Sequence, residues 1–221
     1  MKKLLIVLIL LTGLNASTSA QRLPAIGMPI GTGAGGDTTW TTLNISDKSA
    51  NITLPTNLSW SAGSGSGGVG ICRSTHGFSS GKIYAEVTIT LGTDNVAKVG
   101  IAKATDLTSG AIGSQAAAYG YRGQPICIMG PSNAANGTGL CTGKAPVTTS
   151  IVSLILDMDN HTFTAWFNGL PTATTITGLS GTYYFAVGGG GTACSGTINF
   201  GQTGFFYTPP SGFTGAYKIT P

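Results

Sequence analysis

From Gly81 to Thr90 the chain reads Gly-Lys-Ile-Tyr-Ala-Glu-Val-Thr-Ile-Thr, and this strict alternation constrains the fold more than any other segment. In an extended strand successive side chains point to opposite faces, so Ile83, Ala85, Val87 and Ile89 share one face and Tyr84, Glu86, Thr88 and Thr90 the other. The first face belongs to a core. Apolar spacing of helical period is almost absent from the rest of the chain. With 35 glycines, abundant Ser and Thr and only 8% charged residues, the composition predicts many short strands joined by tight turns. A chain of 221 residues is long enough to close one sizeable core, so a single all-β domain is expected.

A second segment adds topology. Ser153–Asp159 and His161–Phe167 are two short runs rich in β-branched, aliphatic and aromatic residues, separated by Asp and Asn that tolerate turn geometry, which reads as a hairpin. Asn168-Gly169 supplies another turn signal before Leu170-Pro171, and Pro171 would cost a ladder hydrogen bond if the strand continued through it. Further runs occur at Thr39–Ile45, Leu58–Ser61, Val69–Ser74, Val96–Ala102, Ala117–Tyr121, Ile126–Met129 and Tyr183–Val187. Such a set suits a two-sheet antiparallel β-sandwich.

The order of several motifs resembles the SPRY (B30.2-like) family. Cys72–Thr90 is similar to that family's incoming strand, Ser-Gly-Lys turn and Tyr-x-Glu strand, and Val99-Gly-Ile-Ala102 to its next strand. Tyr119-Gly-Tyr-Arg-Gly123 is similar to its Tyr-Gly-x-x-Gly corner. Leu156-Asp-Met-Asp159 with Phe167-Asn-Gly169 resembles its hairpin, and Asn199-Phe-Gly-Gln202 its last core strand. The resemblance runs from about Trp40 to Tyr217 and implies a concanavalin-A-like jelly roll that works by recognition, not chemistry. Two features depart from the pattern: Thr148-Thr-Ser150 stands where a Gly-Asp pair is usual, and Cys127 and Cys141 bound an inserted loop.

Lys2 and Lys3, the apolar run Leu4–Leu11 and the small residues Thr18-Ser19-Ala20 have the layout of a secretory signal peptide, so residues 1–20 are expected to be removed. The apolar run is short of the roughly 20 residues that span a bilayer, so no stable membrane insertion is expected after cleavage. Residues 21–37 are Pro- and Gly-rich without alternation and read as an arm, leaving 38–221 as the sandwich. Loss of Lys2 and Lys3 lowers the formal charge from +4 to +2 with the remaining cations scattered, which gives no basis for binding nucleic acid. In an exported chain four cysteines predict two disulfides, with Cys127–Cys141 and Cys72–Cys194 the expected pairs; buried free thiols are the alternative. Asn-x-Ser/Thr sequons stand at Asn44, Asn51, Asn57, Asn136 and Asn160.

No constellation points to catalysis. Glu86 is the only Glu, whereas glycoside hydrolysis uses a pair of carboxylates; Glu86 is expected to face solvent or to anchor a turn. His76 and His161 are the only histidines and neither sits in a nucleophile elbow. Asp157, Asp159 and Asn160 begin like a calcium loop but lack its Gly and distal Glu, so neither metal nor cofactor is expected. Gly65-Ser-Gly-Gly-Val-Gly70 leads into a strand, where a phosphate-binding loop would open a helix. Tyr119, Tyr121 and Arg122 at a Gly-rich corner are the candidate ligand-binding patch, with both tyrosines as same-face core residues the plainer alternative. The adjoining aromatics Trp166-Phe167 and Tyr183-Tyr184 must split between faces. The expected function is non-enzymatic binding of a protein or peptide through loops at one edge. A glycan-binding lectin or a surface or virion decoration protein are the alternatives.

Overall fold

The computed structural model describes residues 37–65, 69–91, 97–113, 117–123, 126–130, 149–191 and 193–220. Residues 1–36, which hold the expected leader and all but the last residue of the expected arm, and residues 131–148, with Cys141, lie outside the described residues, as do the side chains of residues 121–129; the expected Cys127–Cys141 pair therefore falls outside them. The strands in chain order are β1 (Asp37–Trp40), β2 (Leu43–Lys48), β3 (Ile52–Thr56), β4 (Ser59–Ala62), β5 (Val69–Phe78) and β6 (Lys82–Leu91). Next come β7 (Ala97–Ala102), β8 (Tyr119–Gly123), β9 (Ile126–Met129), β10 (Ser150–Asp157) and β11 (Thr162–Phe167). The chain ends with β12 (Leu170–Ile176), β13 (Tyr183–Gly190), β14 (Cys194–Asn199), β15 (Thr214–Gly215) and β16 (Tyr217–Thr220).

These strands make two large sheets. One runs β2-β5-β13-β7-β8-β9, and the other β12-β11-β10-β6-β14-β4-β3 with β15 added beside β6. Pairing is antiparallel throughout except for β15, which lies parallel to β6 at Ile83 and Tyr84, just beyond the point where β14 leaves that edge at Asn199↔Glu86. A ribbon of β1 and β16 joins the two ends of the domain, starting at Asp37↔Thr220. The single run expected at Thr39–Ile45 is broken at Thr41-Thr42, where the chain leaves the ribbon: Thr41 N donates to Ala216 O, and Thr75 N donates to Thr42 O.

Between the sheets sits the core the alternation anticipates. Ile83, Ala85, Val87 and Ile89 of β6 pack with Val152, Leu154 and Leu156 of β10, against Val99, Ile101, Phe185 and Val187 of the other sheet. Phe200, fully buried just after β14, stacks on Phe185 at 6.1 Å. Phe167 and Tyr183 turn toward this core; their neighbours Trp166 and Tyr184 are half-buried.

Turn chemistry sets the register of β10, β11 and β12. Asn168 (φ 47°) and Gly169 (φ 78°) both take positive φ, as a tight two-residue hairpin requires, and Ile151 N donates to Asn168 Oδ1 at 2.9 Å. A side chain at Gly169 would also strike the Tyr207 ring, 2.6 Å from its Cβ. Pro171 does not end the strand. β12 runs through it because β12 is the edge of its sheet, where a missing N–H donor breaks no ladder on the open side.

The outer face of each sheet is covered in part too, by a loop fastened to a buried charge that projects from the sheet; over the first sheet the buried Asp106 also ties the loop to itself through Lys103 N and Ala117 N. Over the first sheet, residues 103–113 with 117 and 118 form a cluster in which Ile71, Ala102, Ile112, Ala118 and Ala186 are buried. Arg73 fastens this loop by donating from Nη1 to Lys103 O (3.0 Å) and Asp106 O (2.7 Å), while Nε and Nη2 clasp the Asp47 carboxylate at 2.8 and 2.6 Å. Over the second sheet, residues 201–213 bury Tyr84 and Glu86. The face of β6 opposite the core is therefore covered at Tyr84 and Glu86, while Thr88 is half-buried and Thr90 exposed, and of the two expectations for Glu86 only the anchoring one holds.

The Cys72–Cys194 disulfide is corrected: both are free, buried thiols. Cys72 belongs to β5 and Cys194 to β14, in opposite sheets, and each thiol is directed at a backbone carbonyl, Cys72 at Asn44 O (3.5 Å) and Cys194 at Gly188 O (3.8 Å). Each fills core volume as a small hydrophobe. Burial pushes both thiols up to about 12.

Two tests follow from these contacts. Replacing Arg73 with Met strands the half-exposed Asp47 and two carbonyls, and should cost about 3 kcal/mol in urea unfolding; a loss below about 1 kcal/mol would show the clasp to be decorative. For the thiols, the ordinary value is 9.0 against about 12 in the fold, so between those values the unfolded chain binds fewer protons and stability falls as pH rises. Unfolding measured from about pH 8 to about pH 10 should show this decline, and it should shrink in a Cys72→Ala/Cys194→Ala variant.

Candidate functional site

A groove of about 590 Å³ opens where the β5–β6 turn meets β15 and β16. Thr75, His76, Phe78, Ser80 and Lys82 line one side; Thr214, Gly215 and Tyr217 line the other. Strand pairing explains why a groove forms here. β2 accompanies β5 only as far as Ser74 and Thr75, whereas β5 continues to Phe78 with β13 beside it. Among the described residues no strand pairs with the β2 side of β5 beyond Thr75, and the groove lies along this overrun.

The floor of the groove is tied to the β10–β11 turn. Gly81 N donates to Asp159 Oδ1 (2.7 Å), and Met158 N donates to Gly81 O (2.9 Å). Asp157 accepts from Asn160 N (2.9 Å) and Asn160 Nδ2 (2.8 Å), with Lys82 Nζ 3.6 Å from its carboxylate. Burial raises the Asp157 carboxyl, but the two Asn160 hydrogen bonds and the Lys82 charge outweigh it, leaving the group below its ordinary value. The Asp pair thus acts as a fastener between turns, with both Asp157 oxygens and Asp159 Oδ1 accepting from N–H donors. At the other wall Tyr217 meets Trp40 edge to face at 5.3 Å, and Trp40 keeps 37% of its surface exposed. His76 Nδ1 lies 3.2 Å from Thr41 Oγ1, which joins the groove to the β1–β16 ribbon.

The Glu86 network lies behind this site, on the outer face of the same sheet. Phe206 N (2.6 Å) and Tyr207 N (2.8 Å) donate to the two carboxylate oxygens, and Tyr84 Oη donates to Glu86 Oε1 at 2.8 Å. Ser153 Oγ lies 2.8 Å from the same phenol oxygen, and the Tyr84 ring meets Phe205 at 4.7 Å. Burial, above all, holds the Tyr84 phenol well above its ordinary value; Tyr207 is raised by burial and then by Glu86. With its lone pairs engaged by backbone donors and a loop laid over it, this carboxylate is built to hold a chain segment.

The residues expected to form the site are not where a corner would put them. Tyr119-Gly-Tyr-Arg-Gly123 is strand β8, in register with β7 at Ile101↔Tyr119 and Lys98↔Arg122, and with β9 at Arg122↔Cys127. Tyr119 is half-buried, packs against the core and faces Tyr183 at 6.4 Å, and Lys103 Nζ stands 5.2 Å over the Tyr183 ring. Three residues further along a strand is about 10 Å, so Arg122 is displaced from that aromatic pair along the sheet. Gly100 and Gly120 let β7 and β8 approach so closely that a Cβ on Gly100 would overlap Tyr119 O. The groove residues gave little signal in the sequence: the two walls are brought together only when the chain's last strands return to β6.

No family model and no curated protein sequence matches the chain. Solved structures do. The SPRY domain of human HERC1 superposes with a TM-score of 0.56 at 16% identity, over 73% of this chain and 99% of that one. The TRIM65 PSpry domain gives 0.56 at 13% identity over 73% and 90%, and a human SPRY domain 0.52 at 13% over 69% and 97%. At such identities the likeness shows the fold: the chain is a SPRY-type jelly-roll sandwich.

The Glu86 clamp can be tested separately from the groove. In Glu86→Gln one side-chain oxygen becomes a donor facing a backbone donor, so the Phe206 and Tyr207 N–H groups cannot both be satisfied. The loss should be about 2 to 3 kcal/mol, close to that of Glu86→Ala, with early proteolytic cutting between residues 201 and 213. Phe206→Ala, at an exposed side chain, should change stability by less than about 0.5 kcal/mol.

Proposed function

We propose that this chain is an exported, non-enzymatic binding module that holds a partner protein through an extended segment laid in the groove beside β5. The fold is one that often mediates protein interactions, and the observation carrying the reading is the overrun of β5 past β2 with an open groove alongside. An extended segment there would find strand edge on one side and hydroxyl and aromatic side chains on the other, the usual composition of strand-adding recognition. Its volume of about 590 Å³ also falls in the range of ligand sites. The groups that elsewhere serve hydrolysis are here engaged in structure, Glu86 with the 201–213 loop and Asp157 with its own turn. Export is supported by the Lys2-Lys3, Leu4–Leu11 and Thr18-Ser19-Ala20 layout. A second reading, a sugar stacked on Trp40, is favoured by that ring's exposure beside a groove of hydroxyls.

Ser80 is exposed in the β5–β6 turn and lines the groove, so Ser80→Trp should fill the site without disturbing the core. Linear peptides selected by display on the wild-type chain should lose at least about tenfold in affinity on this variant, about 1.4 kcal/mol, at unchanged melting temperature. Equal binding to both proteins would place the interaction elsewhere. Terminal sequencing of exported protein should begin at Gln21; retention of Met1 would overturn cleavage.

A further inference from the structure

We infer that the segment taken by the groove is acidic, with an apolar or aromatic residue next to its carboxylate; this rests on the protein-binding reading above. Lys82 and His76 are the lining residues with ionisable nitrogens, and among the described residues no Asp or Glu lines the groove. Lys82 is the centre of the argument. Its side chain is 36% exposed and its Nζ sits 3.6 Å from Asp157, beyond good hydrogen-bond distance, while both Asp157 oxygens already accept from Asn160. The pair is therefore loose, and the ammonium retains donors for a second carboxylate arriving from the groove.

The surroundings fit the rest of such a ligand. Exposed hydroxyls of Thr75, Ser80 and Thr214 can donate to a carboxylate or to an extended backbone. The Phe213 ring lies 6.0 Å from Lys82 Nζ, and Tyr217, backed by Trp40, forms an aromatic wall for a neighbouring apolar side chain. Tyr and Trp are the residue types that most often dominate binding energy at such points. After loss of Lys2 and Lys3 the formal charge is still positive, at +2, which adds a weak long-range bias toward acidic partners. A single ammonium without a guanidinium fork suits one carboxylate, where a doubly charged phosphate would call for bidentate cations.

A displayed library of random linear peptides, selected in parallel on the full chain and on its Lys82→Glu and Lys82→Gln variants, tests this. On the wild type, Asp or Glu should be enriched beside an aromatic or aliphatic residue. The best acidic peptide should weaken with added salt, and by at least about tenfold on Lys82→Gln. Lys82→Glu should shift the enrichment toward Lys and Arg. Melting curves confirm folding of both variants, and Lys82→Gln, which removes the charge but keeps a polar side chain one atom shorter, stands in should the reversal unfold the chain. Peptides enriched without acidic bias, or binding alike to all three proteins, would overturn the inference and leave the protein-binding reading standing. Failure to enrich any peptide, with or without glycans bound in a Trp40-dependent way on an array, would overturn both.

Discussion

A buried charge is expensive unless every lone pair or proton finds a partner, and the whole domain is arranged around two that do. Arg73 is a donor and captures the carbonyls of Lys103 and Asp106; Glu86 is an acceptor and captures the N–H groups of Phe206 and Tyr207. Each stands on the outer face of a different sheet, and each satisfies a loop that has few backbone hydrogen bonds of its own. The consequence is a second, smaller apolar cluster outside the first sheet and a buried hydrogen-bond network outside the second, where alternation alone would provide only the core between the sheets. Asp47 neutralises the first charge; the second is stabilised by backbone dipoles and the Tyr84 hydroxyl.

The same asymmetry explains which parts of the fold were legible in the sequence. Ile83, Ala85, Val87 and Ile89 announce a core face because a period of two depends only on local geometry, and Asn168-Gly169 announces its turn because positive φ has few tenants. The burial of Tyr84 and Glu86 is invisible locally, since their cover arrives about 120 residues later in the chain. Pro171 was misleading because a proline reports a missing donor but not whether the strand is an edge. For Cys72 and Cys194 cysteine parity was misleading for a related reason: an even count speaks to compartment, whereas pairing depends on where the fold puts each residue, and these two stand in opposite sheets.

The candidate site was less legible than the fold. Tyr119, Tyr121 and Arg122 look like a corner because glycines flank them, yet Gly120 serves close packing against β7 within a ladder, its missing Cβ making room for Val99 O and Ile112. Glycine enrichment has two causes, turning and close approach, and composition does not separate them. The groove, in contrast, is assembled from the β5–β6 turn and from β15 and β16, so neither wall carries a complete motif.

Position and specificity are therefore carried by different residues. The groove floor is fixed through Gly81, whose N–H and C=O are both held by the β10–β11 turn, and its far wall through β15, which is aligned on β6. A floor held in this way loses little conformational freedom when a ligand arrives, which lowers the entropic cost of binding. Ser80 and Thr214, which face the opening, are exposed and contribute nothing to the core, so they can change without disturbing the scaffold, whereas Thr75 also accepts from Thr42 N through its hydroxyl. Lys82 differs from them: it touches both the scaffold through Asp157 and the opening, so a ligand carboxylate there would be read by a residue whose position the fold already determines.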